Sequence, residues 1–196
     1  MGKLFYLMGK SASGKDSLLA DLRACFGDRL RSVVLYATRP IRTGETDGIS
    51  YHFLTNEEFR KKEAAGEVIE SRLYHTIHGP WIYATMNDGQ IQPDRYSYLM
   101  VGTLESFLAT RRFFGEDTVV PLYVEVENGE RLARALRRER AEEHPRYAEL
   151  CRRFLADEED FSEEKLAEAG IVRRFVNDDR RRCFGELRDA IEEALR

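Results

Sequence analysis

The sequence predicts an α/β fold with a parallel sheet, on three observations. Short apolar runs of strand length alternate with segments whose apolar residues recur at helical spacing. A glycine-bounded loop joins the first such run to the first helix. Finally, 42% hydrophobic and 34% charged residues over 196 positions is the balance of one folded domain with a buried core, far from the composition of disordered chains.

The elements follow in order. Lys3 to Met8 reads as a short buried strand, and Leu18, Leu19, Leu22 and Cys25 then recur at helical spacing after Gly14. A second strand is expected from Ser32 to Tyr36, followed by a polar loop from Ala37 to Ser50 that is long for mere connection. Thr55 and Glu58 form a capping box for a helix running to about Ala65, and Glu67 to Tyr74 and Trp81 to Ala84 read as strands of a small α/β insertion. Tyr96 to Val101 and Thr118 to Val126 read as buried strands around a helix with Leu104, Phe107 and Leu108 on its apolar face. Glu130 to Asp160 is helical and dense in charge, broken by Pro145. Gly170 stops a short helix, Ile171 to Val176 supplies one more strand, and Phe184, Leu187, Ile191 and Leu195 line a closing helix.

The net charge of −4, from 31 basic and 35 acidic residues, does not advertise a nucleic-acid binder, so anion binding must come from local clusters. Cys25, Cys151 and Cys183 are widely spaced and odd in number, which argues against a disulfide framework or a zinc site and fits a reducing, cytoplasmic setting. The apolar start Leu4 to Met8 is too short to span a membrane, and no signal-peptide core follows. The expected partners are small molecules, with neither nucleic acid nor membrane, in a monomer or homodimer.

Gly9-Lys10-Ser11-Ala12-Ser13-Gly14-Lys15 follows a predicted strand and opens a predicted helix, the context that the phosphate-loop pattern G-x-x-x-x-G-K requires. Its glycines let backbone N–H groups turn toward phosphate oxygens, the helix N-terminus adds positive potential, and Lys15 bridges the outer phosphates. Gly9, Ser11, Ala12, Ser13, Gly14, Lys15, Asp16 and Ser17 are therefore the candidate ATP-binding residues. Where Ser or Thr normally follows the lysine as a magnesium ligand, this chain has Asp16 and then Ser17, so Asp16 or Ser17 is the candidate Mg²⁺ ligand.

The loop from Thr38 to Phe53 is a second candidate anion site, solvated charge being the other reading of its arginines. Arg39 and Arg42, three apart, offer planar forks for bidentate hydrogen bonds, and Tyr51 adds a neutral donor. This stretch resembles the nucleoside monophosphate-binding loop of guanylate kinases, whose pattern T-R-x-x-R-x-G-E-x-x-G-x-x-Y is matched from Thr38 to Tyr51. Gly66-Glu67-Val68-Ile69-Glu70, Tyr83-Ala84-Thr85 and Asn177-Asp178-Asp179 resemble further segments of that family in the same order.

The resemblance implies a single domain: a three-layer P-loop core over about 1–36, 95–130 and 170–196, a substrate-binding insertion over about 37–94, and a helical, arginine-bearing lid over about 131–169. It also implies ATP-dependent phosphorylation of GMP, or dGMP, by in-line transfer. Carried over by position, Arg39, Arg42, Tyr51 and Tyr83 hold the GMP phosphate, Glu70 and Thr85 read the base, and Asn177 lies near the adenine. Lys15, Arg39, Arg140 and Arg153 are the implied catalytic residues, Arg140 and Arg153 fitting the family spacing in the lid.

The chain departs from the family pattern in places. Leu35 stands where the family often has a base-contacting serine, and the interval from Glu70 to Tyr83 is longer than usual and contains His75, His78, Gly79, Pro80 and Trp81. The strand Ser97 to Val101 carries no aspartate, a charge that Asp16 would replace. Two other readings stay open. Gly14-Lys15-Asp16-Ser17 also resembles the P-loop of ribose 1,5-bisphosphate phosphokinases, and guanylate-kinase-like domains also occur as non-catalytic binding modules, which typically lose the P-loop lysine kept here as Lys15.

Overall fold

The computed structural model describes residues 1–76 and 79–196, the side chains of residues 75 and 76 excepted. His78 and the His75 side chain, both in the lengthened interval noted above, lie outside the described residues.

Two sheets organise the chain. The first has the strand order β2-β7-β1-β8-β9, all neighbours parallel, with β1 (Leu4–Met8) central, β2 at Arg31–Ser32, β7 at Tyr98–Gly102, β8 at Val119–Glu125 and β9 at Arg174–Val176. A central parallel strand is covered on both faces, which is why β1 is apolar throughout. Its side chains alternate between two cores. Phe5 and Leu7 pack with Leu18 and Leu22 of α1 (Lys15–Phe26) and with Leu187 and Ile191 of α7 (Arg180–Ala194). Leu4, Tyr6 and Met8 face Phe107 of α3 (Leu104–Phe114) and Leu166 of α6 (Glu163–Glu168). The parallel α/β sheet read from the alternation of elements, and the three-layer core that the resemblance implied, are therefore present.

The second sheet has the order β4-β3-β6-β5, with β3 at Tyr36–Ala37, β4 at His52–Phe53, β5 at Val68–Thr76 and β6 at Gly79–Met86. The long β5–β6 pairing is antiparallel. Phe59 of α2 (Asn56–Ala64) packs against Ala84 and Met86 beneath it. The capping box expected at Thr55 and Glu58 is formed. Between β8 and α6 the chain makes a helical hairpin, α4 (Asn128–Arg140) and α5 (Tyr147–Asp160), separated around Pro145.

Four expectations are corrected. The strand read over Ser32 to Tyr36 is split, β2 joining the first sheet and β3 the second. In between, the Gln90 side chain replaces a ladder neighbour, its Oε1 accepting from Val34 N–H at 2.8 Å and its Nε2 donating to Val34 O at 3.1 Å. Cys25 is exposed and Phe26 takes the buried place on α1, because positions 19, 22 and 26 share a face where 25 turns away. The strand read from Ile171 begins only at Arg174, Ile171 being buried in the core while Val172 is 90% exposed. Helix α4 starts at Asn128, earlier than Glu130, because the Glu127 carboxylate accepts from Gly129 N–H at 2.8 Å and Glu130 N–H at 2.9 Å. Among the described residues no helix is long and apolar enough to cross a membrane.

Candidate active site

Most of the residues singled out by sequence lie in two places: the loop after β1, and one face of the second sheet.

The loop after β1 is held tightly. A Cβ on Gly9 would meet Val124 O at 2.4 Å, and one on Gly14, whose φ is +83°, would meet Asn177 Nδ2 at 2.5 Å. Ala12, with φ 62°, is the one non-glycine residue in the left-handed region among those described, a local cost that P-loop curvature explains. Asn177 is buried and donates from Nδ2 to Ser13 O at 2.7 Å, so it braces the loop from β9.

The first turn of α1 then presents its backbone N–H groups. Helices α2, α3, α6 and α7 are capped by the side chains of Thr55, Thr103, Ser162 and Asp179, whereas α1, with Gly14 at its N-cap, has no side-chain cap, and neither does α5. Uncapped N–H groups at a helix start, together with the helix dipole, form an anion site. Half-buried Lys15 opens the helix, with Asp16 and Ser17 exposed beside it, and the buried Ser13 Oγ has no hydrogen-bond partner. These groups fit a triphosphate with its divalent cation: N–H donors, Lys15 and a free hydroxyl for the phosphates, and a hard carboxylate oxygen at Asp16 for magnesium.

The outer side of the loop is gripped by the α4–α5 hairpin. Ser11 N–H donates to Asp157 Oδ2 at 2.8 Å and Lys10 Nζ to Glu158 Oε1 at 2.8 Å. Arg131, only 1% exposed, ties these groups together. Its Nε donates to Ser11 O at 3.1 Å, one terminal nitrogen to Asn128 Oδ1 and Glu158 Oε1, both at 2.7 Å, and the other to Asp157 Oδ2 at 3.1 Å. Burial alone would raise the Glu158 carboxyl, but its bonds to Lys10, Arg131 and Asn128 prevail and hold it at about 2.

The hairpin's other arginines are distributed unequally. Arg134 donates to Asn177 O at 3.0 Å and approaches Gly14. Arg153 shares a small cleft with Ser11 and Asp157, its Nε buried without a hydrogen-bond partner and 3.6 Å from Glu149 Oε1. Arg140 is exposed at the end of α4.

On the second sheet, Arg39 is 4% exposed and fully engaged. It donates from Nε to Tyr83 Oη at 3.0 Å and to the two oxygens of Glu45 at 2.6 and 2.5 Å. The rings of Tyr51 and Phe53 lie 5.1 and 5.3 Å from its guanidinium, and Tyr51 meets Tyr83 edge-on. The Arg39 fork holds the Glu45 carboxyl down at about 2 and is itself raised by that carboxylate. Arg42 is exposed and sits 5.7 Å over the Trp81 ring.

Further along the same strands Glu70, 8% exposed, accepts from Thr85 Oγ1 at 2.8 Å. Burial, reinforced by the charge of Glu105, raises the Glu70 carboxyl against the lowering pull of Arg72 and Thr85. Arg39, Tyr51 and Tyr83 thus form one cluster and Glu70 and Thr85 another, both along β6.

Glu45, Arg72, Arg131, Asp157 and Glu158 are functional candidates to which the sequence alone assigns no role. Three had a usable signal: Glu45 is a fixed position of the loop pattern quoted above, Arg72 stands two residues after Glu70 and so shares its strand face, and Arg131 shares a helix face with Arg134 and Arg138. Asp157 and Glu158 sit in an acidic run with nothing to set them apart.

Residues 1–87 match the guanylate kinase family model. A guanylate kinase of Bifidobacterium longum is 42% identical over 85 residues, 43% of this chain and 41% of that relative. One of Schizosaccharomyces pombe is 45% identical over 64 residues, 33% of this chain and 32% of that relative. The aligned segment thus spans about two fifths or less of the length of these curated relatives. The crystal structure of a guanylate kinase from Anaplasma phagocytophilum superposes with a TM-score of 0.61 at 19% identity, covering 98% of this chain and 85% of that one, a likeness of fold over nearly the whole length.

Proposed function

We infer that this chain belongs to the guanylate kinase family, whose model its first 87 residues match, and that it phosphorylates GMP, or dGMP, to the diphosphate at the expense of ATP. The observation that carries this reading is the layout of the second sheet. A phosphate-type clamp of Arg39, Tyr51 and Tyr83 and a buried Glu70–Thr85 pair lie along one sheet face. A carboxylate accepts from the N1 and N2 donors of guanine, which adenine does not present together.

Phosphoryl transfer requires in-line positioning and cations around the moving group more than covalent chemistry. In this reading the uncapped turn of α1 and Lys15 bind the donor phosphates, and Arg39, Arg42, Tyr51 and Tyr83 orient the acceptor phosphate. Arg134 and Arg153, beside the loop, supply positive charge as transfer proceeds, while Arg140 would have to swing inward to contribute. Mg²⁺, when bound, neutralises the donor phosphates, and Asp16 or Ser17 would hold it. No side chain need act as base, because the attacking phosphate oxygen is already ionised at neutral pH. The α4–α5 hairpin and the second sheet keep water from the transferring group.

A coupled assay of ADP formation tests this with ATP, Mg²⁺ and, separately, GMP, dGMP, AMP, UMP, CMP and ribose 1,5-bisphosphate. GMP-dependent turnover that Glu70→Ala abolishes is the expected result. Turnover of the sugar bisphosphate alone would make the chain a sugar-phosphate kinase, and ATP binding without turnover of any acceptor would make it a binding module.

A further inference from the structure

The β5–β6 register sets Glu70 opposite Thr85, Arg72 opposite Tyr83 and Tyr74 opposite Trp81. Residues facing each other across an antiparallel pair, and residues two apart along it, share one face. Arg72 therefore shares the middle rung with Tyr83, the tyrosine bound to Arg39, and stands next to the Glu70–Thr85 pair.

Arg72 is an unusual occupant of that rung. Its side chain is 15% exposed and that of Glu70 4% exposed. Its Nε lies 3.4 Å from Glu70 Oε2, within ion-pairing reach, yet is buried without a hydrogen-bond partner. An arginine with an unsatisfied buried N–H is costly unless a ligand completes it.

Resting on the GMP reading above, we propose that Arg72 is a specificity-determining residue whose guanidinium fork donates to the O6 and N7 edge of guanine while Glu70 accepts from N1 and N2. Two facts favour a base over a second phosphate as its ligand. With Glu70 the pair is formally neutral, and a phosphate on Arg72 would lie against a buried carboxylate. The acceptors O6 and N7 are also adjacent to the donors N1 and N2 on the ring, as Arg72 is adjacent to Glu70. Arginine is the side chain whose planar fork matches O6 and N7. Adenine carries an amino donor in place of O6, so Arg72 faces it donor to donor and rejects AMP along with Glu70.

The test compares GMP with 7-deaza-GMP, which keeps N1, N2 and O6 but lacks the N7 acceptor, in the wild-type chain and in Arg72→Met and Arg72→Lys. The wild type is expected to show KM for 7-deaza-GMP roughly tenfold above that for GMP, the order of one bidentate arginine contact. Arg72→Met should raise KM for GMP by a similar factor and treat the two substrates alike, and Arg72→Lys, with charge but no fork, should recover only part of the discrimination. Far-UV circular dichroism confirms that the variants fold, and the wild-type comparison stands without them. Equal KM values in a wild type that phosphorylates GMP overturn the role of Arg72 while leaving the GMP reading intact. A chain that neither binds nor phosphorylates GMP overturns both, as does turnover confined to ribose 1,5-bisphosphate and lost in Arg72→Met.

Discussion

Asp157 of α5 accepts a hydrogen bond from the backbone N–H of Ser11 at 2.8 Å, so a carboxylate nearly 150 residues downstream in the chain fixes the outer curve of the loop after β1. Arg131 completes the link by donating to Ser11 O on one side and to Asp157 and Glu158 on the other. The loop's conformation is thus set jointly by its own glycines and by the α4–α5 hairpin.

Replacing Arg131 by leucine would strand two carboxylates and a backbone carbonyl in a partly buried site. A loss of about 2–4 kcal/mol is expected from hydrogen bonds to charged groups and a broken buried pair, read as a lowered midpoint in urea unfolding. KM for ATP should rise as the loop loosens. The network also has a pH signature. Glu158 is held at about 2 in the folded chain against an ordinary 4.5, so the unfolded state binds the proton more readily. Its contribution is present above the usual glutamate range and fades as pH falls from there toward 2. Glu158→Gln should flatten that part of the stability curve.

Glu45 orients Arg39 through a two-pronged contact. Glu45→Gln keeps the shape and removes the charge, so Arg39 should lose its fixed orientation without leaving the site. We expect KM for GMP to rise about tenfold with a smaller change in kcat, since charge-assisted bonds are roughly twice as strong as neutral ones. Arg39→Met, which removes the cation itself, should depress kcat/KM by on the order of 10²–10³, the size reported for losing one preorganised charge-stabilising donor. Steady-state kinetics with GMP as the varied substrate separates the two.

The Glu70 carboxyl is raised above 4.5 by burial and by Glu105, and the base-reading role proposed for it needs it ionised. KM for GMP should therefore climb on acidification from above the ordinary glutamate range. Stability should move the other way: the folded chain holds this proton more tightly than the unfolded one, so Glu70's contribution grows as pH falls through its folded value. Opposite pH trends in binding and in thermal midpoint, both absent in Glu70→Gln, would identify the residue. Parallel trends would assign the binding effect to another group.

Asp16 stands in the first turn of α1 beside Lys15. If its carboxylate ligates Mg²⁺, Asp16→Ser should shift the Mg²⁺ concentration giving half-maximal turnover by about tenfold or more, since the loss of an outer-shell partner alone weakens metal binding on that scale. Lys15→Met should lower kcat by on the order of 10² or more while ATP is still bound by the backbone of the loop. An unchanged Mg²⁺ titration in Asp16→Ser would place the metal on other ligands.

Much of this molecule is legible along the chain. The strand, glycine loop and helix of residues 4–26, the capping box at Thr55 and the parallel α/β core follow from local patterns, because periodicity, φ above zero and capping act over a few residues. Gln90 shows where that ends. Its side chain serves Val34 from 56 residues away, and no local signal says that the run from Ser32 to Tyr36 will be divided between two sheets. The same holds for Phe26 and Cys25, adjacent apolar residues that only the packing of α1 tells apart.

The sequence by itself determined the chemistry on offer: a phosphate loop with its lysine, a paired-arginine loop ending in a tyrosine, and a carboxylate ahead of Tyr83 and Thr85. Each is a short motif whose residue types and spacing are read directly along the chain. Tertiary structure alone decided which charges face one another. It joined Asp157 and Glu158 to Ser11, Lys10 and Arg131, left Arg140 in solvent, and turned Arg72 toward Glu70 instead of toward water. The physical reason is that an ionic contact depends on distance and burial in three dimensions, and a run of charged residues looks the same along the chain whether it is solvated or clamped.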